Sequence, residues 1–235
     1  MSDQVVITEC EWGTLVELNR PERRNALDPA TVDALWDAVT TPGEGAIVLH
    51  GRGPVFCAGG DLHALAEMSG AVVKDAAAAF HRLMRALFEN ERPTIAAVRG
   101  AAVGGGLSLA LACDVRIAGR SASFVPGWLA AGAVPDGGGS ALLAASIGAL
   151  AARQLTLTGG AITADSPIGR LVCESVDDDR VLERAVEVAT QLAALPPLAR
   201  HETKRLMSAV SREQFGEALD REYDSLVRVL TGLSQ

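Results

Sequence analysis

Apolar and polar positions change period several times along this chain. Residues 5–8 and 14–18 alternate on either side of Glu11, Trp12 and Gly13, which predicts a hairpin and hence a start in antiparallel strands. Residues 46–50 form an apolar run, and 94–98 another that is partly β-branched and closed by Gly100, so each predicts a strand, the second one buried. Helical spacing takes over between them. Asp28 and Pro29 have the cap and first-turn chemistry for a helix over about 30–39. Phe80, Leu83, Met84, Leu87 and Phe88 give residues 72–90 a helical stripe that Pro93 ends. Further on, the pattern predicts short strands at 114–118, 122–125 and 171–176, with helices at 107–113, 140–147 and 150–157. From Asp179 it predicts helices alone, punctuated by Pro196-Pro197 and Gly232, so one boundary falls near residue 190. The class is α/β, with 1–190 as a core and 191–235 as a helical region.

Glycines break this pattern where chemistry could sit. Gly104, Gly105 and Gly106 join the 94–98 strand to the apolar helix after it, and residues 51–62, GRGPVFCAGGDL, bring a second glycine pair to the start of a helical pattern. A helix N-terminus carries unpaired N–H groups and the positive end of the macrodipole, so bare backbone there can approach an oxygen closely. Two such turns could each aim one N–H at a single carbonyl oxygen. The alternative is that the glycines serve only close packing of helix on strand. No GxGxxG is present, since Leu109 stands where its last glycine would be, and there is no Gly-Lys-Ser/Thr phosphate loop. Leu142 occupies the second glycine position of a nucleophile elbow around Ser140, which therefore reads as a helix N-cap.

Composition narrows the partners. With 235 residues, 49% of them hydrophobic, the chain can bury a large core without disulfides or metals. A net charge of −8 without a basic cluster argues against nucleic acid, and no apolar stretch is long enough to span a membrane. Cys10, Cys57, Cys113 and Cys173 are scattered and lack metal-ligand spacing, which suits buried thiols in a reducing cytoplasm. Of the histidines, His50, His81 and His201 read as structural or solvated, and His63 as helix surface or the edge of a pocket. Arg20, Arg23 and Arg24 are either solvated or a contact for a ligand's phosphates, with Lys204 and Arg205 weaker candidates.

Four segments, RPERRNAL at 20–27, FCAGGDL at 56–62, GAAVGGGLSLALACD at 100–114 and GAVPDGGG at 132–139, resemble in order and spacing the enoyl-CoA hydratase/isomerase (crotonase) superfamily. The resemblance covers nearly the whole chain. It implies a spiral of strand-strand-helix units, C-terminal helices that build a homotrimer or a dimer of trimers, and an acyl-CoA substrate whose coenzyme A is the only cofactor-like group. It places the two carbonyl-binding N–H groups on Gly60 and Gly105. Contacts to CoA would fall on Arg23, Arg24, Ala26, Ala58, Gly60, Asp61 and Leu62, and no metal is implied.

The departures from the family pattern bear on the reaction. The two glutamates of its hydratases map to Ser108 and Trp128, which would line the substrate but cannot act as carboxylates. Asp136, in the VPD turn, matches the single aspartate of some family isomerases. Double-bond isomerisation with Asp136 as acid/base is therefore the expected activity. The alternatives are a non-catalytic acyl-CoA carrier or a hydratase with an atypical site, and Asp136 could instead be a helix cap.

Overall fold

The strands of this chain divide between two sheets, the first four going to one of them. The computed structural model describes residues 4–61, 63–64, 70–208 and 210–231. β1 (Val5–Cys10) and β2 (Gly13–Leu18) pair antiparallel as the hairpin. β3 (Ala46–Gly51), β4 (Thr94–Val98), β6 (Val115–Gly119) and β9 (Glu174–Val176) then extend that sheet in parallel, in the order β1-β2-β3-β4-β6-β9. β5 (Ala101–Val103), β7 (Ser123–Val125) and β8 (Ile162–Thr163) form the second sheet. The chain steps from β4 to β5 and from β6 to β7, which winds it into the spiral that the sequence predicts.

The apolar runs are buried on both faces, as expected for parallel strands covered on two sides. Ala46, Val48, Ile95, Ala97 and Ile117 point to one side, where Val181, Ala185 and Ala189 of α7 (Val181–Ala193) cover them. Those three residues are spaced four apart, so they form one stripe of a helix, and the two alanines let it lie close on the sheet. Ile47, Leu49, Ala96 and Val98 point to the other side, into the main core.

That core is closed by α1 (Pro29–Thr40), α2 (Gly70–Phe88), α3 (Gly105–Ala112) and α4 (Gly139–Ile147). Residues 106–112 of α3 are all buried, which explains a helix that is apolar all round. α5 (Ala149–Thr158) follows α4 directly. Leu171 and Val172, expected in a strand, instead end a short helix, α6 (Gly169–Val172), and pairing begins only at Glu174. The reason is local: Ser166 Oγ accepts the Gly169 N–H, and Gly169 lies so close to Thr163 that a β-carbon on it would be 2.2 Å from the Thr163 carbonyl oxygen.

α8 (Pro197–Met207) leaves Leu198, Leu206 and Met207 exposed. α9 (Arg212–Thr231) packs back onto α2 and α4. Its Phe215 is fully buried and stacks on Phe88 with centroids 4.1 Å apart. Among the described residues no helix is long and apolar enough to cross a membrane.

Candidate active site

The two glycine turns lie side by side. Cys57 pairs with Ala102 of β5, donating to the Ala101 carbonyl at 3.2 Å and accepting from Val103 N–H at 2.9 Å. Two residues on, a β-carbon on Gly59 would lie 3.3 Å from Gly105 N. Gly59 itself has φ +87°, a conformation open to glycine. Its carbonyl accepts from Leu27 N–H at 2.8 Å. A trans peptide sets its C=O and N–H on opposite sides, so the Gly60 N–H points away from Leu27. Gly105 is the first residue of α3, where an N–H has no partner within the helix. Gly104 N–H, by contrast, is taken by Val125. Gly60 and Gly105 thus lie on two turns that the Cys57–Ala102 pairing and the close approach of Gly59 to Gly105 bring together.

The turn that carries Asp136 docks against α3. Gly137 and Gly138 both have positive φ, +67° and +78°, and a β-carbon on Gly138 would lie 2.1 Å from Phe215 Cε2. Phe80 of α2 bridges the two halves, since its ring lies against both Gly105 and Gly137. The next residue, His81, meets the Asp136 carboxylate through Nε2 in a short contact. His81 is 9% exposed and packs edge-on to Tyr223, 6.0 Å between centroids. Asp136 is therefore not the cap of the helix after it. Gly138 is the N-cap of α4 and supplies no side chain, and the α4 start is held by Glu222 of α9. Glu222 accepts from Gly138 N–H at 2.6 Å and from Ser140 N–H at 2.8 Å. Ser140, expected as the cap, donates to it instead.

His81, Asp136 and Glu222 each place one ligand-type atom within 4.8 Å of the others. Both Glu222 oxygens are committed to backbone donors and the imidazole to Asp136. Burial pushes the Glu222 carboxyl above its ordinary range and the nearby Asp136 adds to this, while the Ser140 and Gly138 donors oppose it.

The two positions expected to differ from a hydratase do so. Ser108 is fully buried and donates to the Asp136 carbonyl at 2.6 Å, which helps fix the turn. Trp128 is buried against Gly104 and Gly139, and its Nε1 has no hydrogen-bond partner. Neither side chain can take a proton from water.

The expected CoA contacts divide. Arg23 and Arg24 are exposed, Ala26 is buried, and Ala58 N–H donates to the Arg24 carbonyl. Leu62 lies outside the described residues, and His63 is exposed. Arg20 turns inward, with Nη2 3.1 Å from both Asp28 and Asp61. Asn25, at φ +55°, ties its side chain to the Arg52 and Val55 carbonyls and so braces the approach to FCAGGDL. Burial pushes the Asp61 carboxyl up, but the Ala64 N–H and the Arg20 guanidinium outweigh it and hold it below its ordinary value. Cys57 and Cys113 are buried, and burial pushes their thiols up to about 12.

His81, which the sequence reads as structural or solvated, is instead buried and paired with Asp136, and Glu222 is left out of that reading, yet both carry a signal. His81 directly follows Phe80 and is one turn from Met84 on the buried side of α2. Glu222 falls between Leu219 and Leu226 on the apolar stripe of α9. A charged residue in a core position demands a partner.

A half-buried carboxylate paired with a buried imidazole, on a turn that packs against the glycine-opened helix α3, is the chemistry-bearing cluster of the fold. A family model described as enoyl-CoA hydratase/isomerase matches residues 14–231, and the chain belongs to that family. It is 37% identical over 239 residues, 97% of this chain and 89% of the relative, to a Mycobacterium tuberculosis protein that bears the name probable enoyl-CoA hydratase EchA14. It is 30% identical over 221 residues, 90% of this chain and 80% of the other, to 4-chlorobenzoyl coenzyme A dehalogenase-2 of an Arthrobacter species. Among solved structures, an enoyl-CoA hydratase from Mycobacterium avium subsp. paratuberculosis superposes with TM-score 0.88 at 28% identity, covering 100% of this chain and 96% of that one.

Two outcomes follow from this geometry. Asp61→Asn should cost about 2 kcal/mol at neutral pH, less than an orphaned buried charge because Asp28 still faces Arg20. A carboxyl whose folded pKa is depressed stabilises the fold above its ordinary value of 3.8, so the gap between wild type and variant should close as pH falls below that value; urea titrations across pH 3–7 check this. Gly105→Pro should lower Tm modestly, since proline suits the first helical position but its ring would crowd Phe80, whose Cζ is 3.3 Å from a β-carbon there, and it removes the N–H proposed to bind the carbonyl. Turnover should then fall by roughly 10²–10³, measured as kcat/KM.

Proposed function

We propose that the chain binds an acyl-CoA thioester with its carbonyl oxygen between the Gly60 and Gly105 N–H groups and moves a double bond along the acyl chain. The Asp136–His81 pair, on a turn that shares the Phe80 ring with Gly105, is the observation that carries this reading. The Asp136 carboxylate takes a proton from C2 of a 3-enoyl-CoA, and the electron pair moves onto the thioester oxygen, where the two N–H groups stabilise the enolate. Asp136 then returns the proton to C4 as the double bond settles between C2 and C3. His81 orients the carboxylate and shares the proton's charge. No cofactor beyond the substrate's own coenzyme A is required.

Hydration, the activity in many relatives' names, would need water held and activated by acceptors. Ser108 spends its hydrogen on the turn and Trp128 can only donate, so the reading favours proton shuttling. Asp136→Asn should lower conversion of 3-enoyl-CoA to 2-enoyl-CoA by about 10³ or more with acyl-CoA affinity close to wild type. Unchanged turnover, or no turnover of any enoyl-CoA with binding intact, would defeat the isomerase assignment, the latter in favour of a carrier.

A second reading rests on the partner of Asp136 being an imidazole, which can take a proton from water, and on the similarity to the dehalogenase. On a 4-halobenzoyl-CoA, the Asp136 carboxylate would add to the ring carbon bearing halide, with charge passing through the ring to the same carbonyl oxygen. Halide would leave to give an aryl ester. Water, losing a proton to His81, would hydrolyse that ester at the carboxyl carbon and free the phenol. With 4-chlorobenzoyl-CoA this reading predicts chloride release, and a single turnover in ¹⁸O-water should give unlabelled phenol because the oxygen comes from Asp136. Absence of chloride alongside enoyl isomerisation would remove this second reading.

A further inference from the structure

Glu222 is more costly than a helix cap needs to be. It is 5% exposed, sits on the apolar stripe of α9, and reaches a turn more than 80 residues earlier. A serine or aspartate at the N-cap is the usual local way to satisfy such N–H groups, but here buried Gly138 holds that position with a β-carbon's place taken by Phe215. A buried carboxylate must be compensated bond by bond, and both Glu222 oxygens are, by Gly138 and Ser140 N–H. What a local cap could not do is bring negative charge within 4.8 Å of ligand-type atoms of both Asp136 and His81.

The surroundings leave that charge uncancelled by a cation. From α2, His81 faces the cluster, and Arg85 one turn on is directed to Gly216 and pairs with Glu89 at 3.8 Å. From the 136–140 turn come the Asp136 carboxylate and the Ser140 N–H, and from α9 itself the Tyr223 ring against His81. Among the described residues no arginine or lysine forms an ion pair with Glu222.

We propose that Glu222 is a positioning residue for the Asp136–His81 pair, clamping the turn that carries Asp136 and using its charge to set the pH at which the pair holds its proton. This rests on the reading that Asp136 is the acid/base of the site. A neighbouring negative charge makes a proton harder to remove, and the two groups titrate as a unit. A clamp without an electrostatic role would affect stability and kcat but leave the pH dependence in place.

The test compares wild type, Glu222→Gln and Glu222→Asp in two readouts. The first is the pH profile of kcat/KM for 3-enoyl-CoA isomerisation. The second needs no substrate: the coupled titration of the pair, followed by NMR of the His81 ring. In Glu222→Gln both should move to lower pH by at least roughly half a unit, the effect of a unit charge about 5 Å away even in water. Its kcat should fall about tenfold or more while KM stays within about twofold. Glu222→Asp keeps the charge, so its curves should stay near wild type even where kcat falls, and it carries the test if the glutamine variant does not fold. Superimposable curves for wild type and Glu222→Gln, or equal displacement in Glu222→Asp, would overturn the proposal. Loss of the isomerase reading would show differently, as absent turnover in wild type, with the NMR titration still deciding the role of Glu222.

Discussion

The site depends on how one glycine turn is seated. Residues 137–139 have no side chains, and each presses on a bulky neighbour: Gly137 on Phe80, Gly138 on Phe215 and Gly139 on Trp128. Interiors pack at crystal-like density, so such a turn can take few other positions. Through it α2, α3, α4 and α9 meet at one place. The position of the Asp136 turn relative to the start of α3 is thereby a product of core packing. Phe80 and His81, adjacent in sequence, contribute to both halves: one ring spaces the oxyanion donor from the turn, and the next grips the carboxylate.

Substitution at 108 and 128 belongs to the same packing. A glutamate at 108 would lie where Ser108 now bonds the Asp136 carbonyl, at a position with no exposure and 2.7 Å from any β-carbon at residue 139. Trp128 fills its volume with an indole whose N–H goes unanswered. The space that would hold acceptors for water is instead used to support the aspartate's turn. The reading of Asp136 as a lone acid/base group rests on this exchange of possible acceptors for support of one turn.

Most of the fold was legible because its signals are local. Continuous apolar runs marked 46–50 and 94–98, and Asp28 with Pro29 marked the start of α1, where Asp28 does accept from Thr31 N–H. The segment at 171–176 misled because an apolar pair at the end of a helical turn looks like the start of a strand. The oxyanion glycines were visible as breaks in the pattern. Asp136 was visible too, but its partner was not, because His81 and Asp136 are 55 residues apart and pairing across that distance is a property of the packed helices. Arg20 shows the same limit: an arginine-rich run reads as ligand contact or solvated surface, and only tertiary structure reveals two aspartates awaiting one of its members.

The bond from Glu222 to Gly138 and Ser140 also orders events in time. A chain is made from its N-terminus, and the sheet, α3 and the Asp136 turn are all complete in sequence long before residue 222 is added. Until α9 arrives, the first N–H groups of α4 lack their acceptor and Gly138 lacks the Phe215 ring against which it is seated. Seating of the Asp136 turn therefore waits on α9, a helix made well after the sheet, α3 and the turn itself, so at this place the order of synthesis and the order of assembly part company.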